Sequence, residues 1–83
     1  MQKYLERRRA DYLACQIALR HQNFAFLARV GHTIKGNGDT FGFPELSTLG
    51  KELESAAARG DFSHITLLVG KLGDWLNCHS TAS

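Results

Sequence analysis

One of the four histidines in this 83-residue chain has unusual company. His32 is preceded by Arg29 and followed by Lys35 and Gly36, spacings of three and four that share one side of an α-helix. The apolar residues around it, Leu27, Val30, Ile34 and Phe41, recur in threes and fours and define a stripe. At 100° per residue His32 lies roughly 155° from the centre of that stripe, so it is expected to face solvent. A histidine in water is largely neutral above about pH 7, and a neutral imidazole is a competent nucleophile. A single surface histidine is most often just a solvated side chain, and His21, His64 and His79 are read that way. At His32 a cation, a bare backbone position and an imidazole coincide, which is the pattern expected of a nucleophile approached by another molecule.

The glycines support singling out this segment. Gly31, Gly36 and Gly38 fall within one helical pattern, and each costs up to about 1 kcal/mol relative to alanine in a helix interior. Together they cost roughly 2–3 kcal/mol of the 5–15 kcal/mol that stabilises a typical domain. Gly31 and Gly38 project toward the apolar stripe, where close helix packing accounts for them. Gly36 projects outward beside His32, where a missing side chain lets a partner's surface come close.

Positioning these residues requires helices, and four are expected, at about residues 3–21, 23–42, 44–59 and 62–79. In the first, Leu5, Tyr12, Cys15 and Leu19 form one apolar face; Asn23 is a fitting N-cap for the second. Pro44 suits the first turn of the third, whose stripe is Leu46, Leu49, Leu53 and Ala56 or Ala57, and Gly60 suits its end. Asp61 or Ser63 can cap the fourth, which repeats Ile65, Leu68, Leu72, Trp75 and His79. No segment alternates with period two. Connections of a few residues make consecutive helices antiparallel, so the expected fold is all-α, a single up-down-up-down four-helix bundle spanning 1–83.

Length and composition narrow the function. A chain of 83 residues has room for one core and cannot hold a self-sufficient kinase. With 43% hydrophobic and 22% charged residues and a net charge of +2, it is neither a disordered tail nor a strongly basic nucleic-acid binder. No apolar run is long enough for a membrane span, and the first residues lack a signal-peptide core, so a cytoplasmic protein with reduced Cys15 and Cys78 is expected. Because nearly every apolar side chain of so small a domain is needed inside, function is expected on the outer face.

The run His32-Thr33-Ile34-Lys35-Gly36, followed by Phe41-Gly42-Phe43, resembles the H-x-x-K-G motif of histidine-containing phosphotransfer (HPt) domains. Leu46, Leu49, Lys51, Glu52, Leu53, Glu54, Ala56, Ala57, Gly60 and Asp61 are similar to the family's next helix and turn, and Arg7, Arg8, Leu13, Ala18 and Leu19 to its leading helix. Gly31 departs from the alanine more usual before the histidine, and Asn37 and Gly38 from the small residues usual after the glycine. The resemblance implies a phosphorelay intermediate of two-component signalling. In it His32 is the phosphorylated nucleophile, taking a phosphoryl group at Nε2 from a receiver-domain phospho-aspartate and passing it to another receiver. Lys35 offsets phosphoryl charge, worth about 0.5–1 kcal/mol for an exposed cation; Gly36 permits partner approach and Arg29 is an assisting cation. The implied partners are response-regulator receiver domains and a hybrid sensor histidine kinase, with no nucleic acid and no membrane. The chain is expected to be a monomeric carrier, not an enzyme, with no ATP site, metal or cofactor of its own; Mg²⁺ is expected on the partner receiver.

Other readings are weaker. A phosphorylation-independent adaptor would dock receivers or kinases through exposed Arg7, Arg8 and Arg9 on the first helix. A metal site from Cys78, His79 and His64 lacks paired ligand spacing. The run Gly36-Asn37-Gly38-Asp39 follows a helix, not a strand, and lacks the ending of a phosphate-binding loop.

Overall fold

The computed structural model describes residues 2–80. Among them the chain folds into four helices and no strand: α1 (Gln2–Arg20), α2 (Phe24–Gly38), α3 (Pro44–Arg59) and α4 (Phe62–Ser80). The connections, residues 21–23, 39–43 and 60–61, are short enough to reverse the chain each time, and each helix packs on its neighbours around a ring, α1 on α2 and α4, α3 on α2 and α4. This is the antiparallel four-helix bundle.

Local chemistry sets the helix ends. The Asn23 side chain accepts from the Phe26 N–H and the Asp61 carboxylate from the His64 N–H, each satisfying a donor that the first turn leaves unpaired. Pro44 opens α3, where its missing N–H costs nothing. Gly60, at φ 66°, closes α3 in the left-handed region, its N–H returning to the Ala57 carbonyl.

The second helix is shorter than its apolar pattern predicts, ending at Gly38 rather than 42. The Phe43 N–H bonds the Gly38 carbonyl at 2.8 Å and Gly42 takes φ 85°, so the chain turns away after two glycines have weakened the last turn. Phe41 therefore leaves the α2 stripe; it is half exposed and stacks on Tyr4, with ring centroids 4.4 Å apart.

The core is built from Leu27 and Ile34 of α2, Leu46 and Leu53 of α3, and Ile65, Leu68 and Leu72 of α4, with Cys15 from α1. Burial pushes the Cys15 thiol up to about 12, with the nearby Asp11 charge adding to it, so this sulfur is an inert apolar filler. The rest of α1 departs from expectation. Its buried residues are Tyr4, Arg8, Cys15 and Ala18, while Leu5, Tyr12 and Leu19 sit at the margin. Arg8 is 5% exposed, its Nη2 3.0 Å from Asp11 Oδ2 and its guanidinium over the Tyr4 ring. The arginine triplet is thus not one docking face: Arg7 and Arg9 are exposed and Arg8 is interior. Three adjacent arginines point 100° apart on a helix, and the one aligned with Tyr4 and Cys15 is carried inward.

α2 and α3 approach most closely. A Cβ on Gly31 would lie 2.5 Å from the Glu54 nitrogen and 2.8 Å from the Gly50 oxygen. One on Gly50 would lie 2.5 Å from the Lys35 nitrogen, and one on Gly38 2.5 Å from the Ser47 nitrogen. No side chain fits between these backbones. The Ser47 hydroxyl straps the two helices by donating to the Lys35 carbonyl at 2.8 Å.

Candidate functional site

This glycine-lined contact brings α3 side chains beside the outer face of α2. Gly31 adjoins His32, and Glu54 lies one turn beyond Gly50 on α3, so backbone contact sets imidazole and carboxylate at hydrogen-bond distance. The His32 side chain is 68% exposed, and its Nδ1 is 3.0 Å from Glu54 Oε2. Lys35, 39% exposed, places Nζ 2.9 Å from Oε1 of the same carboxylate. One carboxylate therefore holds both site residues, one on each oxygen.

The electrostatics fix the proton's place. The hydrogen bond from the Lys35 ammonium holds the Glu54 carboxyl below its ordinary range, against desolvation and with a lesser contribution from the His32 hydrogen bond, so it is ionised at neutral pH. An ionised carboxylate only accepts, so Nδ1 must be the donor; in the neutral ring the lone pair then sits on Nε2, which no described residue hydrogen-bonds. His64 is held the opposite way, its Nδ1 accepting from Arg59 Nη2 at 3.2 Å, which leaves the proton on Nε2. His79 Nδ1 donates to the Trp75 carbonyl at 2.8 Å and its ring stacks on Trp75 at 4.0 Å. His64 and His79 are thus engaged separately with their own neighbours, and no cluster of three His, Cys, Asp or Glu side chains able to hold a metal ion occurs among the described residues.

The other expected site residues flank His32. Gly36 is exposed on the same face, and nothing lies within 4 Å of where its Cβ would be. Arg29 is exposed one turn earlier and forms no ion pair with any described residue. An outward imidazole with a defined tautomer, a tethered cation, a second exposed cation and an open backbone patch is suited to receiving and releasing an anionic group.

A model of the Hpt domain family matches residues 1–76. The chain belongs to the Hpt domain family. Hpt domains are phosphotransfer carriers of phosphorelay two-component signalling, and the family works with receiver domains and kinases. No curated protein and no solved structure matches the chain significantly. No helix of the described residues is long and apolar enough to cross a membrane.

In this Hpt domain the residue that sequence reasoning missed is Glu54. It was visible in the sequence only as part of the third-helix pattern, next to the buried Leu53, 22 residues from His32. The available signal was geometric: Gly31 and Gly50 both mark the inner side of their helices, and a carboxylate one turn after Gly50 lies level with the residues after Gly31.

Proposed function

We propose that this Hpt domain is a phosphorelay intermediate in which His32 Nε2 accepts a phosphoryl group from a receiver domain's phospho-aspartate and passes it to the aspartate of a second receiver. The observation that carries this reading is the Glu54 hydrogen bond, which puts the proton on Nδ1 and leaves the outward ring with its lone pair on Nε2. No buried base is needed, because the nucleophilic tautomer is set before the partner arrives.

Lys35 offsets the charge spread over the phosphoryl oxygens in the transition state, and Arg29 adds a second cation one turn away. Gly36 lets the receiver's backbone come within contact of α2. Mg²⁺ and the aspartate belong to the receiver, so the domain carries the phosphoryl group without an ATP site of its own. A hybrid sensor kinase is the fitting upstream partner. Incubation with a phosphorylated receiver should label the protein with an acid-labile phosphoramidate. Label that persists in His32→Gln would overturn the assignment, and a His32→Ala protein that binds and signals like the parent would make the domain a passive adaptor.

A further inference from the structure

Glu54 has a consequence for the phosphorylated state, an inference that rests on His32 being the phosphoryl acceptor. As the Nε2 lone pair forms the N–P bond, the P–O bond of the donor acyl phosphate breaks and its electron pair leaves on the receiver carboxylate. The Nδ1 proton stays, so the ring becomes an imidazolium whose N–H points at a carboxylate oxygen 3.0 Å away. In discharge, an acceptor oxygen forms the new P–O bond and the N–P electron pair returns to Nε2. The leaving group is neutral imidazole if Nδ1 has kept its proton and a poor, anionic imidazolate if it has lost it. Holding that proton therefore determines how readily phosphate departs.

The charged groups facing His32 are Glu54 from α3 and Lys35 and Arg29 from α2; α4 does not pack on α2, and no α1 side chain bonds to His32. Among the described residues Glu54 is the only anion in contact with the ring. The position is not that of a merely exposed side chain, because Lys35 occupies Oε1 and so keeps Oε2 turned to the imidazole. We propose that Glu54 is a positioning residue that keeps the Nε2-phosphorylated ring of His32 protonated at Nδ1, and thereby sets the rate at which the phosphoryl group is released.

The test uses ¹⁵N-labelled full-length protein loaded with phosphoramidate, a small phosphoryl donor that needs no receiver. Parent, Glu54→Gln and Glu54→Asp are compared by ³¹P and ¹⁵N NMR, with thermal melts establishing that each is folded. At pH 8 phosphorylated Glu54→Gln should lose phosphate to water roughly tenfold more slowly than the parent, as expected if about a tenth as many of its rings keep the Nδ1 proton, and its Nδ1 should be mainly deprotonated. Glu54→Asp should fall between, and all three should converge near pH 5.5, where every ring is protonated. Equal rates at pH 8, a deprotonated parent ring at pH 8, or failure of phosphoramidate to load His32 would overturn the proposal. Transfer to receiver domains is scored separately. Its absence with the Glu54 effect intact defeats the relay reading alone, whereas transfer with no Glu54 effect on discharge defeats this proposal alone.

Discussion

The seat of α2 on α3 is backbone against backbone, whereas the seat of α1 is made of side chains. Gly31, Gly38 and Gly50 let two helices meet with no room for a methyl group, and that contact carries His32, Lys35 and Glu54. On the other side the Tyr12 ring lies over Gly73 of α4, and Arg8 is interior with Asp11 as its ion partner while its Nε and Nη1 find no acceptor among the described residues. The first contact has one solution, since backbone cannot change rotamer. The second has several, since rings and guanidinium groups can shift. The proposed site, which uses a hydrogen bond of 3.0 Å between two helices, lies on the contact that cannot adjust.

The largest expected effect is at the glycine contact. Gly50→Val drives carbons into the backbone of α2 and should cost more than about 3 kcal/mol, read as loss of the cooperative unfolding transition in urea or a steep fall in its midpoint. A transition that survives unchanged would mean that the backbones part easily, and the contrast with α1 would disappear. Next comes the ion pair. Asp11→Ala leaves the Arg8 charge buried without its partner and should cost about 2–3 kcal/mol, whereas the double variant Arg8→Met with Asp11→Leu should unfold at or above the parent's urea midpoint. Equal losses in single and double variants would show the charge itself to be needed for the seat of α1.

A smaller change of opposite sign is expected at Gly36, where a methyl group meets nothing: Gly36→Ala should stabilise the domain by up to about 1 kcal/mol while slowing transfer from a receiver. Thermal melts and phosphotransfer kinetics on the same protein measure the two effects. The smallest is a pH dependence of opposite direction in the two regions. Burial raises the Asp11 carboxyl, with Arg8 pulling the other way, so Asp11 favours the folded state below the ordinary carboxylate pKa near pH 4, and that contribution is lost as pH rises through the raised value. Glu54 is lowered, chiefly by Lys35, so its contribution is present above that range and lost as pH falls through the lowered value. Urea midpoints at several pH values between about 3 and 6 should therefore change slope in opposite senses in Asp11→Asn and Glu54→Gln.

Legibility differed between the same two regions. Asn23, Pro44 and Gly60 announce helix ends because each acts on backbone groups within a few residues, and the outward placement of His32 follows from helical periodicity alone. Gly31 and Gly38 announced a close contact through their cost, though not which helix would be met. The α1 face was misread because Leu5, Tyr12 and Leu19 are as regularly spaced as the residues truly buried, and nothing in Arg7-Arg8-Arg9 marks the middle one as interior. Phe41 was misread because its register continues that of α2 beyond the point where Gly42 turns the chain.

What the sequence by itself determined is therefore what depends on neighbours along the chain: four helices, their caps, short reversals, and an exposed histidine with a cation and a glycine beside it. What only the tertiary structure decided is what depends on residues far apart in sequence. Arg8 is carried inward by packing against other helices, and Glu54 reaches His32 because Gly31 and Gly50 let their backbones touch. Helical periodicity gives each side chain a direction but not the distance to the helix it faces, and at this site that distance settles which nitrogen of His32 carries the proton.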